Sequence, residues 1–110
     1  MRRAFALTVM LCCCGCSQPQ QQGDYQMALS CAQAMTALSV QRISEHNPSY
    51  PAVIEAAKTF VDRALYEGKK IGKAEAQVAA ELKSDTDRYL DDRKQVRVPD
   101  QKVRDCRDQL

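Results

Sequence analysis

The residues best equipped for chemistry are the six cysteines, and their spacing divides them into two groups. Cys12, Cys13, Cys14 and Cys16 crowd together near the start of the chain; Cys31 and Cys106 stand alone. A thiol or thiolate can bind metal, act as a nucleophile or pair with a second thiol. Metal is a poor use of the crowded group, because structural zinc takes its ligands in separated pairs. Cys31 and Cys106 are too far apart to form the Cys-x-x-Cys of a redox-active dithiol.

His46 is the one histidine. A catalytic histidine wants a nucleophile and an orienting acid beside it. Its neighbours Glu45 and Asn47 do not supply both, so an exposed residue at a helix end is expected. Asp85, Asp87, Asp91 and Asp92 form an acidic patch. An EF-type calcium loop needs glycine at its sixth position and glutamate at its twelfth. Counting from Asp85, those positions hold Leu90 and Val96. With Arg88 and Arg93 interleaved, the patch reads as a solvated helix face. Lys69, Lys70 and Lys73 make a basic turn, read as a solvated loop within reach of anionic headgroups if the chain is membrane-tethered. No glycine-rich phosphate loop occurs. The expectation is therefore no catalytic residue, no cofactor-binding residue, no metal ligand and no small-molecule substrate.

These residues have to be positioned by helices. Residues 24–46 read as the first, with Asp24 as N-cap. Met27, Cys31, Ala34 and Leu38 fall on one stripe at helical spacing. Tyr25, Leu29, Ala32, Val40 and Ile43 lie roughly opposite. Apolar residues on two sides predict a helix contacted from both, or one lying between lipid and protein. Asn47-Pro48 ends it. Ser49 caps the second helix, Pro51 fits its first turn, and Val53, Ala57, Phe60 and Ala64 make its buried line. Gly68 is read as its C-cap glycine. A third helix is expected over 73–93, with Val78, Leu82 and Tyr89 on one side. Pro99 and Asp100 open a short fourth element carrying Val103, Cys106 and Leu110. A rival is one unbroken helix over 51–92, which keeps Val53, Ile71, Val78, Leu82 and Tyr89 in phase. Gly68 and Gly72 argue for a turn, since two glycines in a helix interior cost about 2 kcal/mol.

The first 23 residues have another character. Arg2 and Arg3 form a short positive start, and Ala4–Cys14 is an apolar run far shorter than the ~20 residues a membrane-spanning helix needs. Cys13-Cys14-Gly15-Cys16 resembles the lipobox of bacterial lipoproteins, with the small residue and the cysteine in place and Cys13 where an aliphatic is favoured. The resemblance implies cleavage before Cys16, lipid on Cys16 and anchoring in a membrane. Ser17 after that cysteine implies the outer membrane, facing the periplasm. Residues 1–15 are then a signal peptide, 16–23 a lipidated cysteine and polar tether, and 24–110 the domain. Arg2 and Arg3 supply the whole excess of 16 basic over 14 acidic residues, so the remainder is neutral. A neutral domain offers no electrostatic case for nucleic acid.

On that reading Cys31 and Cys106 are the two thiols left, and an oxidising envelope would pair them. An up-and-down bundle of three to four helices brings both to one end, which the long rod does not. The bond would close a loop of roughly 75 residues, worth about 4 kcal/mol in the chain-entropy account. For an alanine-rich core with 5% aromatics and no tryptophan, that matters. The expected protein is all-α, disulfide-closed and non-enzymatic. It would be a structural or protein-binding lipoprotein of the envelope, with a periplasmic stress chaperone as the alternative. A deep pocket lined by His46 or by carboxylates would favour an enzyme. A shallow apolar groove would favour a binder.

Overall fold

The computed structural model describes residues 19–84 and 86–110. Four α-helices lie among them: α1 (Pro19–Ser44), α2 (Tyr50–Lys70), α3 (Glu75–Ser84) and α4 (Asp100–Arg107). A 3-10 turn, Thr86–Tyr89, follows α3. Strands are absent among the described residues; one isolated antiparallel bridge joins Leu90 and Val96. The expected signal segment and Cys16 lie outside the described residues.

α1 begins five residues before the expected cap. Residues 19–23 of the segment read as a tether are its first turns, and Asp24 is not an N-cap. Three successive glutamines explain this, because Gln ranks among the good helix formers. The early start also moves Cys31 from near the helix end to its middle.

α1 is the hub. At about 100° per residue its buried side chains point three ways. Tyr25, Ala28, Leu29, Ala32 and Met35 pack against α2 and its neighbours, with Ala57, Phe60, Ala64 and Val78 among their partners. Cys31 and Leu38 share a cluster with Val103 and Cys106 of α4. Ala34 and Ala37, on the side away from α2, pack on Tyr89 with Val96 and Val98 beside it. The two apolar stripes therefore mark a helix contacted from several sides by protein. Alanines at 28, 32, 34 and 37 let these neighbours come close.

α2 runs back along α1 and buries Val53, Ala57, Phe60 and Ala64, the expected line, plus Gly68. Ser49 makes no side-chain cap hydrogen bond. It instead donates its backbone N–H and its hydroxyl to Asn47 Oδ1 at 2.9 and 2.8 Å. The chain turns after Lys70, which excludes the unbroken rod. Gly72, at φ +88°, is the residue that ends α2, not Gly68. Lys73 N–H donates to Gly68 O at 2.9 Å and Gly72 N–H to Lys69 O at 3.1 Å, the paired bonds of a Schellman end. Gly68 is instead a contact point. A Cβ there would lie 2.7 Å from Val78 Cγ2 and 3.1 Å from Tyr25 Cε1.

α3 is ten residues, not the expected twenty-one. From Leu90 the chain forms a tight loop that Asp91 organises. Its Oδ1 accepts the N–H groups of Arg93 and Gln95, and its Oδ2 accepts from Arg97 Nε at 2.8 Å. These local bonds compete with helix, as aspartate commonly does. α4 then lies against α1 and α2, burying Val103 and Cys106, while Leu110 stays exposed.

Candidate functional site

The disulfide joins α1 to α4. Cys31 and Cys106, 75 residues apart, are bonded with Cα atoms 5.6 Å apart. Both are buried, Cys106 completely, among Met35, Val53 and Phe60.

α3 is held by polar side chains. Tyr25 is completely buried and donates its hydroxyl to Glu81 Oε1 at 2.6 Å. Lys73 Nζ bonds Glu81 Oε2 at 2.8 Å and lies 5.3 Å from the centre of the Tyr25 ring. Gln33, also buried, donates Nε2 to the Glu81 backbone oxygen at 2.9 Å. That carbonyl, in the last turn of α3, also accepts the Ser84 hydroxyl at 3.1 Å. One glutamate thus gathers groups from α1, the α2–α3 turn and its own helix. Burial, then the hydrogen bond to Glu81, pushes the Tyr25 phenol well above its ordinary range. The hydrogen bond from Lys73, then that from Tyr25, holds the Glu81 carboxyl below its ordinary range. Near neutral pH, tyrosine keeps its proton and glutamate its charge. The arrangement is suited to clamping a helix, not to shuttling protons.

His46 is exposed and stands in the left-handed region at φ 56°, as the C′ residue of α1. Asn47 N–H reaches Arg42 O at 2.8 Å and His46 N–H reaches Ile43 O at 3.0 Å, a second Schellman end. The acidic patch is not the helix face expected of it. Asp87 lies on the 3-10 turn, Asp91 organises the loop, and Asp85 is outside the described residues. In the basic turn, Lys70 pairs with Glu67 at 3.2 Å and Lys73 is taken up by the clamp. Among the described residues, no group of three His, Cys, Asp or Glu side chains is placed to hold a metal ion. Nor is any helix there long and apolar enough to cross a membrane.

An open groove of about 500 Å³ lies between α1 and α2. Ile54, Ala57 and Val61 line it with Thr36 and Ser39, while Lys58 and Asp62 stand at its edge. On α1, Val40 and Ile43 are 54% and 49% exposed, on the same side of the helix as Thr36.

Sequence reasoning reached the disulfide but missed the clamp. Tyr25 and Glu81 are 56 positions apart, and no spacing rule joins them. The nearest signal was Gly68, whose missing side chain lets Tyr25 and Val78 meet α2. No protein family, curated protein or solved structure matches this chain.

Proposed function

We propose that the chain is the precursor of a lipid-anchored envelope protein whose helical domain binds a partner protein and performs no catalysis. The observation that carries the binding role is the α1–α2 groove. It is shallow, mostly apolar, edged by one cation and one anion, and continued by the exposed Val40 and Ile43. Exposed apolar strips of this kind serve as contact surfaces for a partner's apolar face. His46, Asp87, Asp91 and Asp92 are not among the residues that line it. The Cys31–Cys106 bond supports an oxidising compartment, and so supports export. The anchor rests on the lipobox resemblance at Gly15-Cys16.

Two measurements test the reading. Intact mass of the protein from membranes is expected to give a chain starting at Cys16, heavier by a diacylglyceryl and an acyl group. An unlipidated chain with its original N-terminus and free thiols sinks both export and anchor. A photo-crosslinking residue at Val61 is expected to trap a discrete partner in the native envelope, and one at Gln77 of α3 is not. Equal trapping at both positions removes the groove as the binding surface.

A further inference from the structure

A second concavity lies where α4 meets the end of α1, and its chemistry differs from that of the groove. Arg42 from the last turn of α1, and Arg104 and Arg107 from α4, line one pocket of about 260 Å³. Arg104 and Arg107 are three residues apart on one helix and so share a face. Leu38 and Val103 supply an apolar floor, and Asp100 stands among the arginines.

The arginines are poorly satisfied by the protein itself. Arg42 Nε is shut off from solvent and has no hydrogen-bond partner. Arg104 spends one N–H on Gln101 Oε1 at 2.9 Å. Among the described residues, the Arg107 side chain makes no hydrogen bond or ion pair, and none of the three arginines pairs with Asp100. A buried donor without an acceptor is costly, and like charges gathered in one pocket repel. Each of these features is relieved by a bound anion.

We infer that this pocket binds a single phosphate group carried by a small hydroxylated molecule or headgroup. Guanidinium forks from two helices suit a tetrahedral anion with several acceptor oxygens, whereas a carboxylate is satisfied by one fork. Asp100 can accept a hydroxyl beside the phosphate and disfavours a polyphosphate. The volume is below that of a nucleotide-sized site. Arg42 lies about 35 Å along α1 from Pro19. If Cys16 carries lipid, the pocket opens far from that anchor, which favours a soluble phosphoester over a headgroup of the same membrane. The inference itself does not depend on the anchor.

The test uses the full chain with Cys16→Ser, so that no lipid is attached. Calorimetric titration with inorganic phosphate and with glycerol 3-phosphate is expected to show one site, with the ester the tighter ligand. Arg107→Ala, at an exposed position that leaves the core untouched, is expected to weaken binding about tenfold. Arg107→Lys, which keeps the charge and loses the fork, is expected to weaken it too. Lys69→Ala, a cation elsewhere on the surface, is expected to leave it unchanged. Binding only to phosphatidylglycerol vesicles, lost in Arg107→Ala, keeps the phosphate site and assigns it to a headgroup. Absence of binding in both arms overturns the inference. So does equal weakening by Lys69→Ala and Arg107→Ala, which reports general charge attraction.

Discussion

α3 and α4 are both short helices laid on the long α1–α2 hairpin, and they are fastened by different physics. At ten and eight residues, neither is long enough to persist alone in water. α4 is covalently tied through Cys106 and buries two side chains. α3 buries one, Val78, and relies on Tyr25, Lys73 and Gln33 converging on Glu81. The difference is one of sensitivity. A disulfide ignores pH and salt but yields to reductant, whereas a hydrogen-bonded carboxylate ignores reductant and yields to acid. Each short helix is therefore expected to be released without the other.

The largest effect is expected from cutting the covalent tie. Cys106→Ser is expected to cost about 4 kcal/mol and to lower the melting temperature by roughly 15 °C or more. Cys31→Ser should match it, and the double variant should be no worse than either, because one bond is lost in all three. Reduction should abolish amide protection in α4 and leave most of it in α3. Equal loss in both helices would show that they do not respond independently.

Next comes the steric contact beneath α3. Gly68→Ala places a Cβ 2.7 Å from Val78 Cγ2. Overpacking of this kind costs about 1–3 kcal/mol, partly offset by the better helix propensity of alanine. Combining Gly68→Ala with Val78→Ala is expected to cost less than the sum of the two single changes. Strict additivity would mean that the two sites do not meet.

That glycine shows where sequence stops being informative. The apolar stripes of α1 and α2 were legible because helical spacing alone brings Val53, Ala57, Phe60 and Ala64 onto one line. The disulfide was legible because only Cys31 and Cys106 remain after the first cysteines are set aside. A glycine near a helix end, however, reads the same whether it caps or packs, and only tertiary contact distinguished Gly68 from Gly72. The end of α3 was hidden for a related reason. Tyr89 continues the helical phase of Val78 and Leu82, yet Asp91 offers its neighbours bonds that a helix does not. The clamp joins Tyr25 and Gln33 to Glu81 across 56 and 48 positions, the arginine pocket joins Arg42 to Arg104, and polar residues so far apart leave no periodic trace.

The clamp itself should respond to pH in two windows. The folded-state value of Glu81 is lowered, so its contribution is complete above the ordinary value of 4.5 and is lost as pH falls through the folded value. The Tyr25 value is raised, so its contribution is complete below the ordinary value of 10.0 and is lost as pH rises beyond it. Glu81→Gln is expected to cost about 1 kcal/mol, since the group is partly solvated. It should flatten the acid limb and reduce amide protection in α3 while leaving α4 unchanged. An acid limb unaltered in Glu81→Gln would place the titrating group elsewhere.

The smallest effects sharpen the comparison at the hairpin itself, whose two helices end in the same motif with different residues. α2 ends on Gly72 at φ +88° and α1 on His46 at φ 56°. Glycine adopts this left-handed region freely, while a residue with a Cβ does so at a cost of about 1 kcal/mol. Gly72→Ala should therefore destabilise by about that amount, with no Cβ clash to complicate it, since nothing lies within 4 Å. His46→Gly should stabilise by up to about 1 kcal/mol, because the imidazole is exposed and the motif keeps its two backbone bonds. Thermal melts of the two variants should move in opposite directions. Destabilisation by His46→Gly would mean that the imidazole makes a favourable interaction that outweighs its backbone strain, and would return the one histidine to consideration as a functional residue.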